Sequence, residues 1–144
     1  MDITTIQIYS PNLESKLALP NIGTQICAGF PSPAEDYLES SLDLNRELIK
    51  NPCATFFGRV KGQSMIDAGV DDGDLLVIDK SLVYKKDALA VCFIDGDFTL
   101  KRITTNGDQI ILMPANKDYA PIPVPKDADF AVWGIVTYII KKAY

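Results

Sequence analysis

The sequence contains no histidine. That absence excludes Ser-His-Asp and Cys-His activation of a nucleophile, the H-E-x-x-H zinc signature and a histidine general base. Any acid–base chemistry must fall to Lys, Asp, Glu or Tyr. Cysteine is scarce and odd in number, with only Cys27, Cys53 and Cys92 and no C-x-x-C pair. Neither a disulfide framework nor a zinc site is expected, and free thiols fit a reducing compartment. Long apolar runs are missing as well. The most apolar stretch, "FAVWGIVTYII" at 130–140, falls short of the roughly 20 residues that span a bilayer. The N-terminus, with Asp2 early and no Lys or Arg before Lys16, does not read as a signal peptide. Excess positive charge is also lacking: the net charge is −5, which argues against a broad basic face for nucleic acid. An acidic protein can still act on DNA through a partner, but it would be a weak direct binder. These absences predict a soluble cytoplasmic protein that does not engage a membrane.

What is present suits one domain of ordinary size, with 144 residues and an ordinary globular composition. The first 30 residues differ from the rest. "ITTIQIYS" alternates weakly and could form one strand, and "PNLESKLALPNIGTQ" mixes Pro, Asn, Gly and Ser with scattered apolar residues. Together they read as an extended arm with little core of its own. A helix is predicted next, with Ser32 as N-cap, Pro33 at the first helical position and Glu35 completing a capping box. Pro52 ends it, and Ser40-Ser41 is a candidate break into two short helices.

The remainder reads as β. "ATFFGRVKG", "DLLVIDK", "ALAVCFI", "FTLKRI", "QIILMPA" and the C-terminal apolar stretch are short strands between turn signals, and Asp95-Gly96 marks a hairpin. The fold class expected is mostly β, barrel-like or a sandwich.

Few motifs carry chemistry. "DAGVDDGD" fails as a calcium loop, because Ala68 and Val70 fall where acidic ligands would be needed, and ordinary turn chemistry explains it. There is no G-x-G-x-x-G or Walker pattern, and no cofactor or metal is expected. Ser64, in "VKGQSMIDAG", sits in a glycine-bearing turn at the end of a predicted strand. Ile66 breaks the G-x-S-x-G elbow and Asp67 breaks S-x-x-K. Lys101 lies inside the apolar strand "GDFTLKRI", where alternation places Thr99 and Lys101 on one side, Phe98 and Leu100 on the other. A mid-strand lysine ordinarily points to solvent. The alternative is a desolvated lysine, whose ammonium is disfavoured by burial and whose neutral amine can take a proton. A Ser-Lys dyad of that kind needs no histidine.

Four stretches in order, "AGFPSPAEDY", "LDLNRELIKNPCATFF", "GQSMIDAGVDDGDLLVID" and "GDFTLKRI", resemble the LexA/UmuD family of self-cleaving serine peptidases, most closely its UmuD branch. The separation of Ser64 and Lys101, 101 − 64 = 37, also fits, and the resemblance covers residues 27–142. It implies the LexA/UmuD-like peptidase β-fold with short helices and an extended N-terminal arm. Residues 1–28 would be the arm removed by self-cleavage at Ala28-Gly29, and 29–144 the catalytic and dimerisation domain. Ser64 would be the nucleophile and Lys101 the base. Ile26 would fill a shallow apolar pocket, and backbone N–H groups of Gln63 and Ser64 would stabilise the oxyanion. The resemblance further implies a bacterial SOS-response protein whose cleavage is stimulated by a RecA–single-stranded-DNA filament. The trimmed homodimer would serve a UmuC-like Y-family polymerase in translesion synthesis.

The 28 residues before the junction offer no room for a helix-turn-helix, so a sequence-specific DNA-binding repressor is not expected. Three other readings stay open: a non-catalytic dimeric module of the same fold that binds a polymerase or RecA, a signal-peptidase relative, and a phage-type repressor fragment.

Overall fold

In the computed structural model, residues 4–12 and 41–144 are described. The junction Ala28-Gly29, Ile26, Cys27 and the Ser32 cap lie outside them. The apolar runs become strands because each alternates across a sheet that is buried on one or both faces. In chain order they are β1 Thr5–Tyr9, β2 Thr55–Lys61, β3 Leu75–Asp79, β4 Ala90–Ile94, β5 Asp97–Asn106, β6 Gln109–Met113, β7 Ile122–Pro123 and β8 Phe130–Ile140. All pairings are antiparallel, in the order β1-β2-β3-β8-β4-β5-β6-β7. The mostly β expectation therefore holds. No helix among the described residues is long and apolar enough to cross a membrane.

Local chemistry accounts for the connections. Asp95 and Gly96 both take positive φ, 47° and 92°, as a tight two-residue hairpin turn requires, and they join β4 to β5. The described helix, α1, is a single stretch of five residues, Leu44–Leu48. Its N-cap is Asp43, whose Oδ1 accepts from the N–H groups of Asn45 and Arg46 at 3.0 and 3.4 Å. Asp43 was not anticipated as a cap. Pro52, expected to end the helix, instead opens a separate 3₁₀ turn, Pro52–Ala54.

Two bulges in β8 curl the sheet. Register shifts between Val77 and Ile78 on β3, and between Val91 and Cys92 on β4, leave Thr137 and Trp133 as the extra residues on β8. The curl brings β1 against β5, although the two are far apart in strand order: the Thr99 hydroxyl donates to the Thr4 carbonyl at 2.9 Å.

The main core gathers Ile6, Val60, Met65, Val70, Leu76, Ile78, Val91 and Leu100. A second core holds Ala90, Cys92, Leu112, Val124 and Ile135. β4 feeds both, Val91 to one and Ala90 with Cys92 to the other, so "ALAVCFI" carries no polar alternation. The arm's first strand also belongs to the body. Ile6 is buried in the main core and β1 forms five Cα pairings with β2, from Thr5↔Lys61 to Tyr9↔Phe57. Residues 4–9, read from the sequence as part of an extended arm, are instead paired into the sheet and share the core of the body.

Candidate active site

Ser64 lies between β2 and a 3₁₀ turn at Ile66–Ala68, in a loop held from several sides. Met65 next to it is buried in the main core and anchors the loop there. The Ser64 carbonyl accepts from the Ala115 N–H at 2.8 Å, and the Asp67 N–H donates to the Ala115 carbonyl at 2.7 Å. Asn116 Nδ2 donates to the Gln63 carbonyl at 2.8 Å. Gly62 makes the turn possible. It sits at φ +113°, and a Cβ there would lie 2.6 Å from Thr4 Oγ1 and 2.7 Å from Thr4 Cα.

Lys101 is in mid-β5, paired with Ala90 across the sheet. It is fully buried, at 0 % exposure, as is Ser64. The solvent-facing possibility for Lys101 is thereby excluded. Its Nζ lies 2.7 Å from Ser64 Oγ, 2.9 Å from the Leu100 carbonyl and 3.2 Å from Thr99 Oγ1. The proton count on these partners is informative. The Leu100 carbonyl can only accept. Thr99 Oγ1 donates its own proton to the Thr4 carbonyl, so it accepts from Nζ. In a neutral amine whose N–H bonds are taken by these two acceptors, the lone pair would accept the Ser64 hydroxyl proton. Burial favours that neutral amine over the ammonium.

Gln63 and Ser64, expected as backbone oxyanion donors, lie at the same turn. The Ser64 N–H is already used: it donates to Thr4 Oγ1 at 3.1 Å. Thr4 and Thr99 were not singled out from the sequence as site residues. For Thr99 a signal existed, since strand alternation put it on the face of Lys101. For Thr4 there was none, because its position depends on the pairing of β1 with β2. Behind the site, Cys92 is the cross-strand partner of Thr99 and is buried, which pushes its thiol up to about 12. Among the described residues, no group of three or more Cys, Asp or Glu is placed to hold a metal ion.

The sequence profile of the Peptidase S24-like family matches residues 20–137, which include both Ser64 and Lys101. The chain belongs to this family. Within it, the chain is 38% identical to Protein MucA of Salmonella typhimurium over 135 residues, 92% of each chain. It is also 38% identical to Protein SamA of Salmonella typhimurium over 136 residues, 94% of each chain. Identity to LexA repressor 1 of Xanthomonas axonopodis pv. citri is likewise 38%, over 130 residues that make up 90% of this chain and 63% of the repressor. The S24-like chain is thus UmuD-like in its relationships, in agreement with the motifs that carry the resemblance.

Proposed function

We propose that this UmuD-like protein cleaves its own chain at Ala28-Gly29 with Ser64 as nucleophile and Lys101 as general base. The observation that carries the proposal is the 2.7 Å contact between Lys101 Nζ and Ser64 Oγ, both fully buried, in a chain without histidine. Ser64 Oγ attacks the Ala28 carbonyl carbon while its proton passes to the Lys101 lone pair. The tetrahedral oxygen is met by N–H groups at Gln63 and Ser64. Collapse breaks the C–N bond, and the proton on Nζ goes to the departing Gly29 amine. Water, deprotonated by the same amine, then attacks the acyl carbon; the C–Oγ bond breaks and the proton on Nζ returns to Ser64 Oγ. Leu100 and Thr99 orient the amine by taking its two N–H bonds.

In the cell, this reading makes the protein a bacterial cytoplasmic SOS component whose cleavage a RecA–single-stranded-DNA filament stimulates. The trimmed homodimer would then join a UmuC-like Y-family polymerase in error-prone synthesis. The family membership and the likeness to MucA and SamA support this assignment.

The test is to incubate the purified full chain at rising pH and identify the new N-terminus by mass spectrometry. The expected result is a fragment beginning at Gly29 that forms faster as pH rises, with Ser64→Ala intact. Equal nicking of wild type and Ser64→Ala would end the proposal.

A further inference from the structure

The reaction needs the Ser64 N–H for the developing oxyanion, yet that group is occupied by the chain's own fourth residue. Thr4 Oγ1 accepts from it at 3.1 Å, and the Thr4 carbonyl accepts from the hydroxyl of Thr99, which holds Lys101 Nζ. One arm residue is therefore tied to both halves of the dyad. Thr4 is 2 % exposed and packs so closely on Gly62 that a Cβ there would strike it. Two residues on, Ile6 anchors the strand in the main core, its Cγ2 reaching into the space where Gly58 lacks a side chain. Beside Thr4, an open groove runs along Ile94, Phe98, Thr99, Leu112 and Ile122, with Thr4, Thr5, Asp95 and Asp97 also lining it.

We propose that β1 is a displaceable plug: Thr4 occupies the oxyanion donor and Ile6 holds it there, so the uncleaved chain rests inactive until β1 leaves the edge of β2. This rests on the peptidase reading above and extends it to regulation. Excision of residues 1–28 carries the plug away and leaves the outer edge of β2 unpaired. Displacing β1 is then the step that any activator must accomplish before the junction carbonyl can reach the Ser64 amide.

The test uses the full chain. Thr4→Val removes the acceptor and keeps the shape; self-cleavage is expected to rise several-fold, and an unchanged or slower rate overturns the plug. Thr5→Cys with Lys61→Cys, made with Cys27→Ser and Cys53→Ser, places cysteines at facing positions of β1 and β2. Oxidised, this chain should cleave at least tenfold more slowly than after dithiothreitol, and equal rates overturn the plug. A third arm needs no cleavage. In a Ser64→Ala background, hydrogen exchange at the amide of position 64 should be slow and should accelerate at least tenfold on Ile6→Asp, with Trp133 fluorescence reporting retention of the fold. Fast exchange without Ile6→Asp, or no acceleration with it, overturns the plug. If Ser64→Ala cleaves like wild type the peptidase reading falls, while the exchange measurement still decides whether β1 covers the amide.

Discussion

Two lysines of this chain stand in opposite surroundings. Lys141 is exposed just beyond β8 and is held by two carboxylates, Asp71 at 2.7 Å and Asp74. Its pKa is raised, with the hydrogen bonds it donates to Asp71 and Asp74 as the leading causes. Lys101 is buried in mid-β5 among two hydroxyls and a carbonyl. Carboxylates and water keep an amine charged, so Lys141 can only pair. Burial disfavours the ammonium and favours the neutral amine, which can accept a proton. The same residue type is a surface tie in one region and a candidate base in the other, and the difference lies wholly in what surrounds the nitrogen.

The sharpest way to break this comparison is to exchange the roles. Lys101→Ala is expected to lower self-cleavage by about 10²–10⁴-fold, as loss of a general base does. Lys141→Ala should leave the rate within about twofold of wild type, since Lys141 pairs with Asp71 and Asp74 and not with the dyad. Comparable losses in the two variants, measured as single-turnover cleavage, would remove the distinction.

Thr99→Val comes next. It deletes the hydroxyl that accepts from Nζ, and one such hydrogen bond corresponds to about a tenfold loss of rate. Thr99→Ser should restore most of it, whereas a purely packing role would not be rescued by serine.

Thiol reactivity sharpens the contrast between surface and core. A maleimide should label exposed Cys53 promptly and leave Cys92 untouched at neutral pH while the protein is folded, because burial both covers the Cys92 thiol and keeps it protonated. Prompt labelling of Cys92, read by peptide mass mapping, would show that the face behind Lys101 is open.

The smallest effect concerns acid stability. Burial works to raise the Asp79 carboxyl, but hydrogen bonds from the Ser81 hydroxyl, the Asn51 amide and the Ser81 N–H outweigh it and hold the value below the usual 3.8. A carboxyl depressed on folding contributes stability that is present above its unfolded value, about 3.9, and is lost as pH falls through the folded one. Asp79→Asn should therefore flatten the decline in melting temperature below about pH 4, with little change in its slope above pH 6.

Much of the fold was legible because the signals were local. Apolar runs bounded by turns gave the strands, and Asp95-Gly96 marked a hairpin whose turn takes positive φ at both positions. β7 was not legible, since two residues that include a proline carry no strand signal. Asp43 as a cap was hidden because α1 is a single five-residue stretch with no periodicity to point to its start. In the site, Ser64 and Lys101 could be nominated from the missing histidine and from the resemblance, but whether Lys101 faced solvent could not be decided from its strand. Alternation places a residue on a face and says nothing about what covers that face.

By itself, the sequence determined the chemical vocabulary: no imidazole, one serine in a glycine-bearing turn, one lysine inside an apolar strand, and a mostly β chain. Only the tertiary structure decided that residues 37 apart meet at 2.7 Å and that Thr4 sits on the Ser64 amide. The physical reason is range. Strand, turn and cap preferences act over a few neighbouring residues, whereas these contacts depend on how the bulges of β8 curl the whole sheet and on which edge β1 joins.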